Sequence, residues 1–194
     1  MRTFITSLVL SVAIATQAQT FRQIEPGVYL LTAGQEDAHT PLRYKEPVAK
    51  QLKDMPATDN PFAKEGVHIE VNARGCVVDI PLSADENIYG FGLQMGSFVQ
   101  NNKKKRPLVN DHPLKDLGYT HAPQPFYISN KGYAVLINTA RYTTFYIGTN
   151  RKNTDYTSSE DSQKAKLSTD ELYRSSTQSS SKPRVQVDIP GAKG

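Results

Sequence analysis

Short segments in which apolar and polar residues alternate constrain this chain more than any other feature of its sequence. The segment VHIEV (67–71) alternates in this way, NARG follows it, and CVVDI (76–80) alternates again. A period of two places the apolar side chains of a strand on one face of a sheet. Gly75 can adopt the positive φ that a tight reversal requires. We therefore predict a β-hairpin whose inner face is formed by Val67, Ile69, Val71, Cys76, Val78 and Ile80.

A second hairpin is predicted in PFYISNKGYAVLINT, residues 125–139. SNKG forms the turn, and Gly132 occupies the position that takes a left-handed conformation. Both faces of the returning strand, 133–137, are apolar, which predicts that this strand is covered on both sides. Three further strands are predicted from their β-branched and aromatic residues, in GVYLLTAG (27–34), TTFYIGT (143–149) and RVQVDIP (184–190).

Helical periodicity is scarce, and EPVAKQLKDM (46–55) is the one passable helix candidate. Twelve prolines and twelve glycines punctuate the short strands of a 194-residue chain, a length that suits one domain. This pattern predicts an all-β sandwich or barrel with few short helices. Residues 150–182 are polar, and they form either a long loop or irregular hairpin at the sheet edge or a locally disordered segment.

The first eighteen residues have the features of an export signal. Arg2 provides a positive start, an apolar run follows, and Thr16 and Ala18 place small residues before a cleavage point. The apolar run is shorter than the ~20 residues that a membrane-spanning helix needs, and a buried first helix is the alternative. We predict a signal peptide over 1–18, with residues 19–194 exported to the periplasm or the outside of a bacterium and no membrane contact after cleavage.

Charge and motif spacing weigh against several kinds of site. The net charge is only +4, and KKKR (103–106) has no interleaved aromatic residues, which favours a solvated loop base over nucleic-acid binding. The glycines of YGFGLQMG (89–96) do not open into an amphipathic helix, which favours close backbone packing at a bend over a nucleotide site. No histidines have zinc-ligand spacing, so we expect no metal and no cofactor. The single cysteine, Cys76, is expected to pack as a small apolar residue.

Three ordered segments carry a family resemblance: ENIYGFGLQ (86–94), LVNDHP (108–113) and PFYISNKGYAVLINTARYTTFYIG (125–148). Together they resemble the N-terminal region of glycoside hydrolase family 31, which includes α-glucosidases, α-xylosidases and some α-galactosidases. The chain departs from the family pattern at Leu93 and Gln94, near which many members carry glutamate, and at GYA, where Gly-Tyr-Gly is commoner. The resemblance implies an antiparallel β-sandwich of the galactose-mutarotase-like type.

The resemblance also implies which residues meet carbohydrate. In this family the sandwich extends a loop over the mouth of a (β/α)₈ barrel, and an acidic residue on that loop helps to hold the sugar. Asp111 matches that residue by position, and Asn110 lies beside it, so these two are the candidate substrate-binding residues. A carboxylate can accept hydrogen bonds from two adjacent sugar hydroxyls. The alternative is that Asp111 only caps its own turn.

No catalytic residue is assigned to this chain. Retaining glycosidases use two carboxyl groups about 5 Å apart, and the resemblance places both on a barrel of ~250 residues that cannot fit here. We expect residues 19–194 to be truncated before that barrel and inactive alone, with an α-glycoside and the missing barrel as partners. A stand-alone secreted carbohydrate-binding or adhesion module is the alternative function, and a basic nucleic-acid binder is a third.

Overall fold

The computed structural model describes residues 19–44, 59, 61–62, 66–110, 116–149 and 183–194. The predicted signal peptide, the helix candidate 46–55 and the polar segment 150–182 all lie outside these residues. Among the described residues, no helix has the length and apolar character that crossing a bilayer requires. The described elements are β1 Thr20–Glu25, β2 Val28–Thr32, α1 Pro41–Tyr44, β3 His68–Asn72, β4 Gly75–Pro81, β5 Ile88–Gly92, β6 Lys103–Lys105, β7 Leu108–Val109, β8 Tyr119–Thr120, β9 Pro123–Ser129, β10 Tyr133–Leu136, β11 Thr144–Ile147 and β12 Arg184–Pro190.

The larger sheet has five strands in the order β3-β4-β12-β11-β6, and every neighbouring pair is antiparallel. The first predicted hairpin is confirmed as β3 and β4, with Ile69 opposite Val78 and Val71 opposite Cys76. Gly75 has a φ of +150°, and a Cβ there would overlap the carbonyl oxygen of Ile189. The glycine is therefore required both by the backbone conformation and by the close approach of β12.

The smaller sheet has three strands in the order β10-β9-β5, and it contains the second predicted hairpin. Ser129 faces Tyr133 across the turn, and Gly132 has a φ of +84°, as expected. The prediction that the returning strand is covered on both faces is wrong, because Ala134 and Leu136 are exposed. β10 is an edge strand, and only the face that carries Tyr133 and Val135 packs on the core.

The core lies between the two sheets, which confirms the predicted β-sandwich. Most of its buried residues come from β4, β11 and β12 of the larger sheet and from β5 and β9 of the smaller one, and Leu82, Ile137 and Ala192 join them from the flanking segments. The ring of Phe91 lies 4.8 Å from that of Phe145 and 6.0 Å from that of Tyr127, all three being fully buried. Cys76 is buried as predicted, and burial raises the pKa of its thiol to about 11.

A β-bulge near the end of β5 explains the glycines of YGFGLQMG. The register with β9 shifts between Gly90 and Gly92, and Phe91 between them has a φ of +66°. A Cβ at Gly90 would lie 2.8 Å from the carbonyl oxygen of Phe126, and a Cβ at Gly92 would overlap that of Ala122. The expected close backbone packing at a bend is confirmed, and the bulge turns the Phe91 ring into the core.

Candidate functional site

Asn110, the described member of the candidate pair, follows a short ladder of two parallel strands. β7 pairs with β8, with Leu108 opposite Tyr119 and Val109 opposite Thr120. The backbone N–H of Asn110 donates to the carbonyl oxygen of Thr120 at 3.1 Å. Asn110 is therefore held at the end of the ladder. Asp111 lies outside the described residues, so its contact with carbohydrate stays a prediction.

The two chain segments on either side of Asp111, residues 106–110 and 116–120, are joined near their first residues. The backbone N–H of Arg106 donates to the carbonyl oxygen of Leu117 at 2.7 Å. Gly118 is buried with a φ of +95°, and a Cβ there would lie 2.8 Å from the Arg106 nitrogen. Glycine at 118 thus allows segment 116–120 to approach segment 106–110 closely.

A cluster of charged and polar side chains lies beside the hydrogen bond from Arg106 to Leu117. We call this cluster the loop base, and it consists of Gln94, Ser97, Lys103, Lys105 and Asp116. The Asp116 carboxylate accepts hydrogen bonds from both lysine ammonium groups and, at 3.1 Å, from the Ser97 hydroxyl. Lys105 Nζ also donates to Gln94 Oε1 at 3.2 Å. Three separate chain segments therefore converge on one carboxylate.

The prediction that Lys103–Arg106 form a solvated loop base is wrong for Lys105, whose side chain has no exposed surface. The physical reason is the period of two along β6. Lys103 and Lys105 face the carboxylate, whereas Lys104 is exposed on the other side of the strand, with Nζ 5.3 Å from the centre of the Tyr146 ring. A run of like charges in the sequence is thus divided between two environments by the strand.

Burial and ion pairing act in opposite directions on the titration of the loop base. Burial alone would raise the pKa of Asp116, but hydrogen bonds from Lys103 and Lys105 outweigh it, and the pKa lies below its usual value of 3.8. Burial lowers the pKa of Lys105, although Asp116 opposes the shift. The carboxylate is therefore the charged partner that keeps a buried ammonium group compensated.

A groove of about 270 Å³ lies beside β7 and the residues that follow β10. Its apolar lining residues include Pro107, Val109 and Pro125. Arg141 also lines the groove and donates two hydrogen bonds to Asp37, and both side chains are partly exposed. The guanidinium carbon of Arg106 lies 5.6 Å from the centre of the exposed Tyr142 ring, which also lines the groove.

Sequence reasoning missed Asp116 and Arg141. Asp116 lies 11 residues from Lys105 and Arg141 lies 104 residues from Asp37, so neither pair has a local sequence pattern. The one available indication was the alternation within KKK, which places the first and third lysines on the same face of any strand.

The family model of the glycosyl hydrolase 31 N-terminal galactose mutarotase-like domain matches residues 20–145. No curated protein matches the chain. The matched range covers more than half of the chain, from the first residue of β1 to Phe145 in β11, and it includes both Asn110 and the loop base.

Proposed function

Since the chain belongs to the family of glycosyl hydrolase 31 N-terminal galactose mutarotase-like domains, we propose that it completes the sugar pocket of an exported α-glycoside hydrolase. In this proposal Asn110 and Asp111 contact the substrate, and the two catalytic carboxyl groups lie on a (β/α)₈ barrel outside this chain. The observation that carries the proposal is the family match over 20–145, within which Asn110 ends the β7–β8 ladder.

The geometry around Asn110 supports a role in binding a polar ligand. An asparagine amide offers both donors and an acceptor, and a sugar presents neighbouring hydroxyl groups that need both. The hydrogen bond from the Asn110 N–H to Thr120 fixes the backbone from which that amide projects. A fixed backbone lowers the conformational entropy that ordering the site would cost on binding.

Exposed apolar side chains near the loop base support the proposal that this part of the chain packs against another polypeptide. Phe98 is 81% exposed and Met95 is 75% exposed, and both belong to the segment that supplies Gln94 and Ser97. Val109, next to Asn110, is 65% exposed. Exposed apolar side chains of this size suit a surface that another polypeptide covers. This favours docking on a barrel over the alternative of a stand-alone carbohydrate-binding or adhesion module.

The sugar contact is tested by titrating the purified chain with methyl α-glucoside, α-galactoside and α-xyloside while recording amide NMR spectra. We expect shifts at Val109 and Asn110 with at least one of the sugars, and we expect Asp111→Ala to remove them. Lys131→Ala, in the turn of the β9–β10 hairpin, is the matched control and should bind like the unchanged chain. Binding that survives Asp111→Ala, or shifts confined to residues far from β7, would contradict the assigned contact.

The expected inactivity of the chain alone and its export have separate tests. Aryl α-glycosides of the same three sugars should not be turned over by the chain alone, and robust hydrolysis would refute its assignment as a pocket-completing region. For export, we propose that residues 1–18 are removed. Expression of the full chain in a bacterium should then give a mature protein that begins at Gln19, which mass spectrometry of the periplasmic fraction measures directly.

A further inference from the structure

We propose that Asp116 is a positioning residue whose contacts with Lys103 and Lys105 hold the β7–β8 ladder, and with it Asn110, in one geometry. The inference rests on the proposed function only in taking Asn110 to contact carbohydrate. Its physical content is that charge, in addition to packing, fixes this loop to the sandwich.

The lysine side of the contact is fixed to the core. Lys105 is paired in the sheet with Phe145, a residue whose side chain is fully buried. The Lys105 side chain is itself fully buried, so its ammonium group cannot reach water while β6 stays in place. Because an uncompensated charge in such surroundings is strongly unfavourable, Lys105 requires Asp116 close by.

Asp116, the acidic partner in the contact, belongs to the segment that leads into β8. Asp116 directly precedes Leu117, whose carbonyl oxygen accepts the hydrogen bond from Arg106, and β8 begins at Tyr119, three residues after Asp116. Holding Asp116 on β6 therefore holds β8 beside β7. With β8 in this position, the Asn110 N–H donates a hydrogen bond to the Thr120 carbonyl oxygen at the other end of the ladder.

The ladder is too short to be stable through its own strand pairing. β7 and β8 have two residues each, and two short paired strands are marginally stable without further support. Val109 is largely exposed and Leu117 is 40% exposed, whereas Pro107 and Thr120 are buried and Leu108 and Tyr119 are partly buried. The ladder is therefore joined to the sandwich by packing as well as by the ionic contacts, and the ionic contacts are the part that Asp116 supplies.

The surroundings of Asp116 are built for this contact. The groups that face the carboxylate are Lys103 and Lys105 from β6 and Ser97 from the preceding segment, with Gln94 held through Lys105. At Gly96 an added Cβ would lie 2.9 Å from the Asp116 carboxyl carbon. Glycine at 96 thus leaves the space that the carboxylate occupies.

The test is hydrogen–deuterium exchange of the full chain, followed at the amides of Arg106 and Asn110. These two backbone N–H groups donate the hydrogen bonds that join segment 106–110 to segment 116–120. We expect Asp116→Asn to speed exchange at both amides about tenfold, and the Val187 amide in β12 reports separately how far the variant accelerates global unfolding. Asp116→Glu should restore part of the protection, because it restores the charge. Lys104→Gln is the matched control, since Lys104 lies on the opposite side of β6, and it should exchange like the unchanged chain.

A second variant keeps the inference open to refutation if Asp116→Asn unfolds the chain. Lys105→Met combined with Asp116→Leu removes the pair without leaving a buried charge, so the sandwich should fold. Exchange at Asn110 should still be about tenfold faster than in the unchanged chain. Protection of Asn110 equal to that of the unchanged chain in this double variant would overturn the inference.

Sugar titration separates this inference from the proposed function. If the unchanged chain binds a methyl α-glycoside, Asp116→Asn should weaken binding by roughly the factor by which it speeds Asn110 exchange. If exchange responds to Asp116 as expected but no sugar binds, the positioning role stands and the carbohydrate role of Asn110 fails. If sugar binds equally well to Asp116→Asn and to the unchanged chain, Asp116 does not position the site.

Discussion

The strand pair β4–β12 and the loop base use the same strand periodicity in different ways. In β12 the alternate residues Val185, Val187 and Ile189 are buried in the apolar core. In β6 the alternate residues are Lys103 and Lys105, which face a carboxylate. Both arrangements fix a strand, but the first does so by excluding water and the second by matching charges.

The two kinds of contact differ in how they respond to conditions. Apolar burial contributes about 25 cal/mol per Å² and is nearly independent of pH and salt. Ion pairs weaken when the acid is protonated, and exposed pairs weaken further in salt. The comparison teaches that the scaffold and the loop of this sandwich can be perturbed separately, and the following changes test that separation.

The largest effect is expected in the core. Phe145→Ala should lower the free energy of unfolding by about 4 kcal/mol, because a fully buried ring packed on Phe91 is replaced by a cavity. The control is Tyr146→Ala, which changes the next residue on the opposite, partly exposed face. Urea denaturation measures both, and equal losses would mean that the core face of β11 does not dominate its stability.

Two glycines with the same backbone angle sharpen the contrast between buried and open positions. Gly92 and Gly132 both have a φ of +84°, but a Cβ at Gly92 overlaps Ala122 whereas a Cβ at Gly132 meets nothing within 4 Å. Gly92→Ala should therefore cost about 3 kcal/mol and Gly132→Ala about 1 kcal/mol, the second reflecting strain alone. Thermal unfolding of the two variants would contradict this account if their losses were alike.

The loop base should respond less than the core, and in a pH-dependent way. Asp116→Asn should cost about 2 kcal/mol at neutral pH, below the usual range for a fully buried pair because the carboxylate is partly exposed. The pKa of Asp116 is lower in the folded chain than its usual value of 3.8, so its stabilisation is complete above that value and is lost as the pH falls through the folded-state pKa.

Denaturation at a series of pH values from 6 to 2 measures this dependence. The unchanged chain should lose stability at the acidic end, and Asp116→Asn should lose less over the same interval. Parallel curves for the two proteins would show that Asp116 contributes no pH-dependent stability.

The smallest effect is expected at an ion pair on the surface. Asp85 and Lys131 are bonded through exposed side chains, in contrast to Asp116 and Lys105. Asp85→Asn should leave the urea midpoint unchanged, because water and side-chain entropy offset exposed pairs. A loss as large as that of Asp116→Asn would show that burial of Lys105 is not what makes the loop base matter.

Much of the scaffold was predictable because local patterns carry it. Alternation in 67–71 and 76–80, with a turn glycine between them, predicts β3 and β4 with the correct inner face. The turn glycine Gly132 likewise predicts the β9–β10 hairpin, although not which face of β10 is buried. The error at β10 has a clear cause. An apolar residue such as Leu136 suits either an inner strand or an edge strand, and the position of a strand within its sheet is not a local property.

The candidate site was less predictable for the same reason. Three ordered segments correctly indicated the family, and the family points to Asn110 and Asp111. The lysine run, by contrast, was interpreted as a solvated loop base, because no aromatic residues are interleaved with it and the net charge is small. Only the position of Asp116 beside β6 makes burial of Lys105 possible.

The sequence by itself determined the two hairpins, their turns and the buried face of the β3–β4 pair, since these follow from backbone geometry and side-chain polarity over a few residues. The tertiary structure alone decided that β12 inserts between β4 and β11, that β10 lies at an edge, and that one carboxylate joins three segments at the loop base. Those outcomes depend on which distant groups exclude water together and which opposite charges meet, and no short stretch of sequence contains both partners.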